Sequence, residues 1–134
     1  MRFVFDTNVV VSALLGDSST PRRAFDRALD RGVLLLSFPV LAELNEVLGR
    51  QHFRRYVHED EVRRFLAAFA REAEWVEITT SITACRDPKD NKFLELAVDG
   101  HATHIVSGDD DLLALNPFRN ISILRPVAIL ERVG

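Results

Sequence analysis

Short, mainly apolar runs alternate along this chain with longer stretches of helical spacing, and that alternation limits the folds open to it. Arg2 to Phe5, Val33 to Leu36, Trp75 to Ile78, Thr103 to Ser107 and Ile121 to Leu124 each read as a short buried strand. Between them lie Ala24, Phe25, Ala28 and Leu29, then Val40, Leu41, Leu44, Val47 and Leu48, then Val62, Phe65, Leu66, Phe69, Ala70 and Ala73, each set spaced as one face of a helix. Strands separated by helix-length connections pair in parallel, which predicts an α/β fold with a central parallel sheet and helices on both faces. The punctuation agrees with this reading. Thr20-Pro21, Ser37 with Pro39, Asp60 and Asp87-Pro88 are expected helix starts, and Gly32, Gly49 and Gly100 expected stops.

With 134 residues and a hydrophobic share of 47%, the chain is expected to form one domain spanning 1–134. Cys85 is the lone cysteine, so no internal disulfide or cysteine zinc site is expected. The first strand-like run begins at Arg2, and no apolar stretch has the length of a membrane span, so cytoplasm is the expected compartment. A net charge of −3 is unlike that of a strongly basic nucleic-acid binder. Any such affinity must come from local patches, of which Arg50 to Glu72 and Thr20 to Arg31 are the richest in arginine. Arg50, Arg54 and Arg55 follow the helix that carries Glu43 and are the expected phosphate-holding residues. His101 and His104 lack histidine or cysteine partners and are expected at the surface. His52 and His58 stand isolated among the arginines.

In a parallel α/β sheet the functional crevice opens at the carboxyl ends of the strands. Asp6 and Asp109 end strands in this reading, while Glu43 and Asp90 lie near helix starts bordering the same edge. Glu43 falls on the border of its helix's apolar stripe and can reach inward, whereas Glu46 points away. Each acid has a structural alternative. Asp6 and Asp109 fit as helix caps, Asp90 as the far half of a capping box begun by Asp87, and Glu43 as a buried hydrogen-bonding group. Two carboxylates about 5 Å apart repel by roughly 3 kcal/mol at an effective dielectric near 20, so a cluster of them must take up protons or a cation. Lys89 and Lys92 are expected to flank Asp90 on the surface and to offer little compensation. Hard divalent ions prefer oxygen donors, and Mg²⁺ completes its shell with water and substrate phosphate.

The residues themselves resemble a known family. Phe5-Asp6-Thr7-Asn8-Val9-Val10-Val11-Ser12 is similar to the opening of PIN-domain nucleases, and Ser37-Phe38-Pro39-Val40-Leu41-Ala42-Glu43-Leu44 to their second acidic motif. Arg86-Asp87-Pro88-Lys89-Asp90-Asn91-Lys92-Phe93-Leu94-Glu95 and Ile105-Val106-Ser107-Gly108-Asp109-Asp110-Asp111-Leu112-Leu113 resemble the third and fourth, in the right order. The resemblance implies a three-layer α/β/α sandwich in which Asp6, Glu43, Asp90 and Asp109 surround Mg²⁺ or Mn²⁺. Asp111 is an additional metal candidate, and Thr7, Asn8 and Ser107 are expected to orient Asp6, Asp109 or a bound water. It further implies an endoribonuclease leaving 5′-phosphate and 3′-hydroxyl ends. Small members of the family are commonly toxins of VapBC-like toxin–antitoxin pairs, so a cognate antitoxin and a homodimer are the expected partners.

The competing classes are a structure-specific DNA nuclease, a non-catalytic Mg²⁺-binding regulatory module and an inactive fold used for protein contact. The first usually carries DNA-clamping elements for which this chain has no room. A response-regulator-like module wants an acidic pair at the first strand, which Asp6-Thr7-Asn8 lacks, and a dehalogenase-like phosphatase wants an Asp where Asn8 stands.

Overall fold

The computed structural model describes residues 1–134 apart from the side chains of Gln51 and His52, so the histidine at 52 lies outside the described residues. Five strands, β1 (Arg2–Phe5), β2 (Val33–Leu36), β3 (Glu74–Trp75), β4 (His104–Val106) and β5 (Ser122–Leu124), form one sheet in the order β3-β2-β1-β4-β5. Every pairing is parallel, with Phe3 facing Leu34 on one side and His104 on the other. The helices flanking it are α1 (Thr7–Leu15), α2 (Thr20–Arg31), α3 (Phe38–Leu48), α4 (Gln51–Arg54), α5 (Glu59–Glu72), α6 (Asn91–Asp99), α7 (Asp110–Leu113) and α8 (Pro126–Arg132). This is the α/β sandwich the sequence predicts.

Burial on both faces explains the uninterrupted apolar strands: Phe3, Val4, Leu36, Ile105 and Val106 have no exposed surface. Helix α6 packs on β1, β2 and β4 through Phe93, Leu94, Leu96 and Ala97, while α2 lies against α1, β2 and α8. Gly32 joins α2 to β2 where the backbone of Met1 passes so close that a Cβ would stand 2.3 Å from its carbonyl oxygen, which reserves that position for glycine.

The chain steps outward from β1 to β2 and β3, then crosses back to lay β4 and β5 on the other side of β1. The reversal falls between β1 and β4. Connections leaving these neighbours diverge, so their carboxyl ends open a crevice that the flanking loops line.

Several local expectations are corrected. Ser19, not Thr20, caps α2, accepting from the Arg22 amide. Helix α5 starts at Glu59, with Asp60 inside its first turn. The strand expected over Trp75 to Ile78 is only Glu74–Trp75: the Val76 amide still bonds to the Leu36 carbonyl of β2, but from Thr79 the backbone bonds to α6 instead of a neighbouring strand. Asp99 accepts from the amides of Thr79 and Thr80, Glu95 from Ile82, and Asn91 from Ala84 and Cys85. These acceptors recur every four residues on one face of α6 and carry the coil along the helix to Arg86. His104 is half-buried, stacked on Phe3 with ring centres 5.1 Å apart, and burial pushes its pKa down. Helices α4 and α8 add to the elements expected from the sequence.

Candidate active site

Asp6 leaves β1 with its amide still bonded to the Val106 carbonyl at 3.0 Å, which holds the first residue beyond the strand against β4. One oxygen of its carboxylate caps α1, accepting from the Val9 amide at 2.9 Å; the other accepts from the Ser107 hydroxyl. Ser107 is fully buried, and its oxygen also accepts from the Asp109 amide at 2.9 Å. A single hydroxyl thus ties together the two loops at the sheet's reversal point. Asp109 caps α7 by accepting from the Asp111 amide at 3.0 Å and faces Asp90 across the same cavity. Capping and a place in the crevice are not alternatives for these residues, because a carboxylate has two oxygens.

Asp90 ends a 3₁₀ turn (Pro88–Asp90) that Asp87 caps through the Lys89 amide at 3.0 Å. The capping box is not completed, and the Asp90 side chain caps neither this turn nor α6. Burial, the hydrogen bond with Asp109 and the charges of Asp109, Asp87 and Asp6 push its pKa up to about 7. Asp6 is also pushed upward, first by burial and then by the Asp109 charge, against the lowering effect of its hydrogen bonds from Ser107 and the Val9 amide.

Glu43 projects from α3 into the same space. Thr7 donates its hydroxyl to Oε2, and Lys92 donates to Oε1 at 2.8 Å. Lys92 therefore does not flank Asp90 on the surface: its side chain is 23% exposed and paired with a carboxylate that is 21% exposed.

Asp6, Glu43, Asp90 and Asp109 line one cavity of about 340 Å³, with Arg50 and Lys89 on its wall. Asp111 and Arg86 line a second, more open hollow of about 790 Å³, which shares Asn8 and Asp109 with the first. Ser107 bonds to Asp6, one of the acids it is expected to orient, whereas Thr7 bonds to Glu43 and to neither Asp6 nor Asp109. Asn8 is exposed where the hollows meet and holds none of the acids. Of the three expected arginines, Arg50 borders the acids and pairs with Glu46 at 3.7 Å. Arg54 lines a different groove with Asn45 and Arg63, and Arg55 is exposed on neither hollow, because α4 turns the chain away after Arg50. Arg86 belongs to the third acidic motif, yet the sequence alone assigns it no role. Its one signal is its position directly before the cap of the turn that carries Asp90.

In this side-chain arrangement no three acids, histidines or cysteines among the described residues converge closely enough to enclose an ion. The donor set nonetheless suits a hard cation. Asp6, Asp90 and Asp109 offer only oxygens and share one open cavity, where burial first, and then the neighbouring acids, leave Asp90 holding a proton near neutral pH. A divalent ion meets the same electrostatic demand as that proton.

A parallel sheet of this order, flanked by helices and carrying acids at its reversal point, is the architecture of PIN-like α/β/α domains. A PIN domain profile matches residues 2–111, and the chain belongs to the PIN-domain family, whose members are generally nucleases. It is 30% identical over 117 residues to an uncharacterized protein of Methanocaldococcus jannaschii, MJ1680, a match covering 86% of this chain and 75% of that one. Its fold is similar to a chain in the crystal structure of VapBC2 from Rickettsia felis bound to a DNA fragment from their promoter. That likeness has a TM-score of 0.61 at 14% identity and covers 92% of this chain and 97% of the other.

Proposed function

We propose that this chain is a single-domain, Mg²⁺- or Mn²⁺-dependent endoribonuclease. In this reading it acts in the cytoplasm as the toxin of a type II toxin–antitoxin pair, as a homodimer that a cognate antitoxin holds inactive. The observation that carries the nuclease reading is the convergence of Asp6, Glu43, Asp90 and Asp109, from separate parts of the chain, on one cavity at the sheet's reversal point. The partner and dimer follow from the family resemblance, and the VapBC2 assembly of the fold neighbour is in keeping with a partner protein. No described helix is long and apolar enough to cross a membrane.

Asp6, Asp90 and Asp109 would hold the ion. When bound, it would lower the pKa of a water and neutralise charge on the scissile phosphate. The chain's own residues do the rest. Ser107 fixes Asp6 relative to Asp109, and the Asp87 cap sets where Asp90 enters the cavity. Lys89 and Arg50 on the cavity wall and Arg86 in the adjoining hollow supply the positive charge that a backbone of phosphates needs beside so many acids. Among the described residues Arg86 forms no ion pair, which leaves its planar fork available to a phosphate.

The central test is incubation of the purified protein with single-stranded RNA and Mn²⁺ or Mg²⁺, with matched DNA in parallel. RNA cleavage that stops with EDTA is expected. Cleavage that survives both EDTA and Asp6→Asn removes the reading, and equal cutting of DNA turns it toward a DNA nuclease. Binding to RNA in the Asp109→Asn background addresses Arg86: Arg86→Ala is expected to lower the slope of log affinity against log salt by about 0.7 for each phosphate that the protein no longer neutralises. An unchanged slope excludes Arg86 from the groups that grip the backbone.

A further inference from the structure

We infer that Lys92 stands in for a second metal ion. The cavity then takes one divalent ion on Asp6, Asp90 and Asp109, and Glu43 serves as the counter-charge of Lys92 instead of as a ligand. This deepens the metal-dependent reading above and rests on it.

Both oxygens of Glu43 are already engaged, Oε1 by the Lys92 ammonium at 2.8 Å and Oε2 by the Thr7 hydroxyl. The pair is more than three-quarters shielded from solvent, at 23% and 21% side-chain exposure, and the hydroxyl-bearing Thr7 is itself buried. A shielded ammonium that loses its partner is left uncompensated, so the pair resists opening. A divalent ion drawing on Glu43 would have to displace that ammonium while being repelled by it.

The other three acids differ in kind. Asp6 and Asp109 are joined through Ser107, Asp90 lines the same cavity, and among the described residues no basic group forms an ion pair with any of them. The cavity therefore has two electrostatically distinct halves. One is neutral, as Glu43 with Lys92. The other is anionic and open, and it is the half a cation enters. Two-ion sites require both ions to sit about 3.5–4 Å apart among shared carboxylates, and here the ammonium already occupies the side that Glu43 would lend to the second ion.

Counting bound Mn²⁺ on the metal-free full chain, by calorimetric titration and by the electron paramagnetic resonance of the unbound ion, tests this without reference to activity. One ion per chain is expected for the wild type. Glu43→Gln is expected to keep Mn²⁺ affinity within about threefold, whereas Asp90→Asn is expected to lower it by about tenfold or more, as removal of a ligand should. Lys92→Met frees Glu43 and is expected to admit a second ion. Two ions on the wild type overturn the inference and leave the metal-dependent reading standing, as does a Glu43→Gln affinity that falls as far as that of Asp90→Asn. A folded Lys92→Met protein that still binds one ion also overturns it. Should Lys92→Met fail to give a native circular dichroism spectrum, the wild-type count and the Glu43→Gln affinity decide. No Mn²⁺ binding to the wild type at all rejects the inference and the metal-dependent reading together.

Discussion

Asp109→Asn is expected to reduce RNA cleavage by at least about a hundredfold while leaving the fold intact, since loss of a group that merely supports a metal ligand already costs about 10–100-fold. The substitution separates the two tasks of this side chain. Asparagine keeps an oxygen to accept from the Asp111 amide, and Asn caps helices about as well as Asp, so α7 retains its start. What disappears is the charge beside Asp90 and Asp6. If the chain is a toxin, expressing it without its antitoxin arrests growth, and expressing the Asp109→Asn form does not. Initial rates on single-stranded RNA with Mn²⁺, growth curves after induction and a thermal melt check the three parts of this expectation. A mutant that cuts RNA at the wild-type rate, or arrests growth as the parent does, contradicts it.

The second large effect is on stability and runs against the usual behaviour of carboxylates. In the folded chain Asp90 titrates near 7, well above its ordinary 3.8. Between those values the folded state holds a proton that the unfolded state has released, so the Asp90 contribution to the stability of the metal-free protein falls as pH rises from about 4 to about 7. His104, whose pKa burial pushes down, contributes in the opposite direction near the top of that window. Asp6, also pushed upward, contributes in the same direction as Asp90. Because much of Asp90 faces solvent, screening reduces the effect to something on the order of 1 kcal/mol, a few degrees in melting temperature. Mg²⁺ or Mn²⁺ added at neutral pH is expected to replace the proton and recover that loss. Asp90→Asn should flatten the pH dependence, raise the metal-free melting temperature at pH 7 and blunt the response to metal. Melting curves of the metal-free wild type and Asp90→Asn across this range decide it; a pH dependence that Asp90→Asn leaves unchanged refutes the account.

Strands are legible because burial on both faces leaves no polar alternation to confuse them, as Val33 to Leu36 and Arg2 to Phe5 illustrate. Positions of Asp6 and Asp109 follow directly, since a residue just past a buried parallel strand has one edge to occupy. Where side chains do the work of a ladder, sequence patterns fail. The coil after β3 looks strand-like because its bonds run to Asp99, Glu95 and Asn91, whose spacing reads only as the polar face of a helix. Arginine density near Arg50 carries no direction, so it cannot foresee that α4 separates Arg54 from the acids. Lys92 departs from its expected surface position for a similar reason. Its partner lies 49 residues away, and nothing local distinguishes a lysine that reaches inward from one that faces water.

The buried hydroxyl of Ser107 grips a carboxylate that entered the chain 101 residues earlier. A nascent polypeptide therefore displays Asp6 without the clasp for that side chain until Ser107 has been added. Whatever this cavity does, a growing fragment that stops short of Ser107 lacks the hydroxyl that joins its two loops.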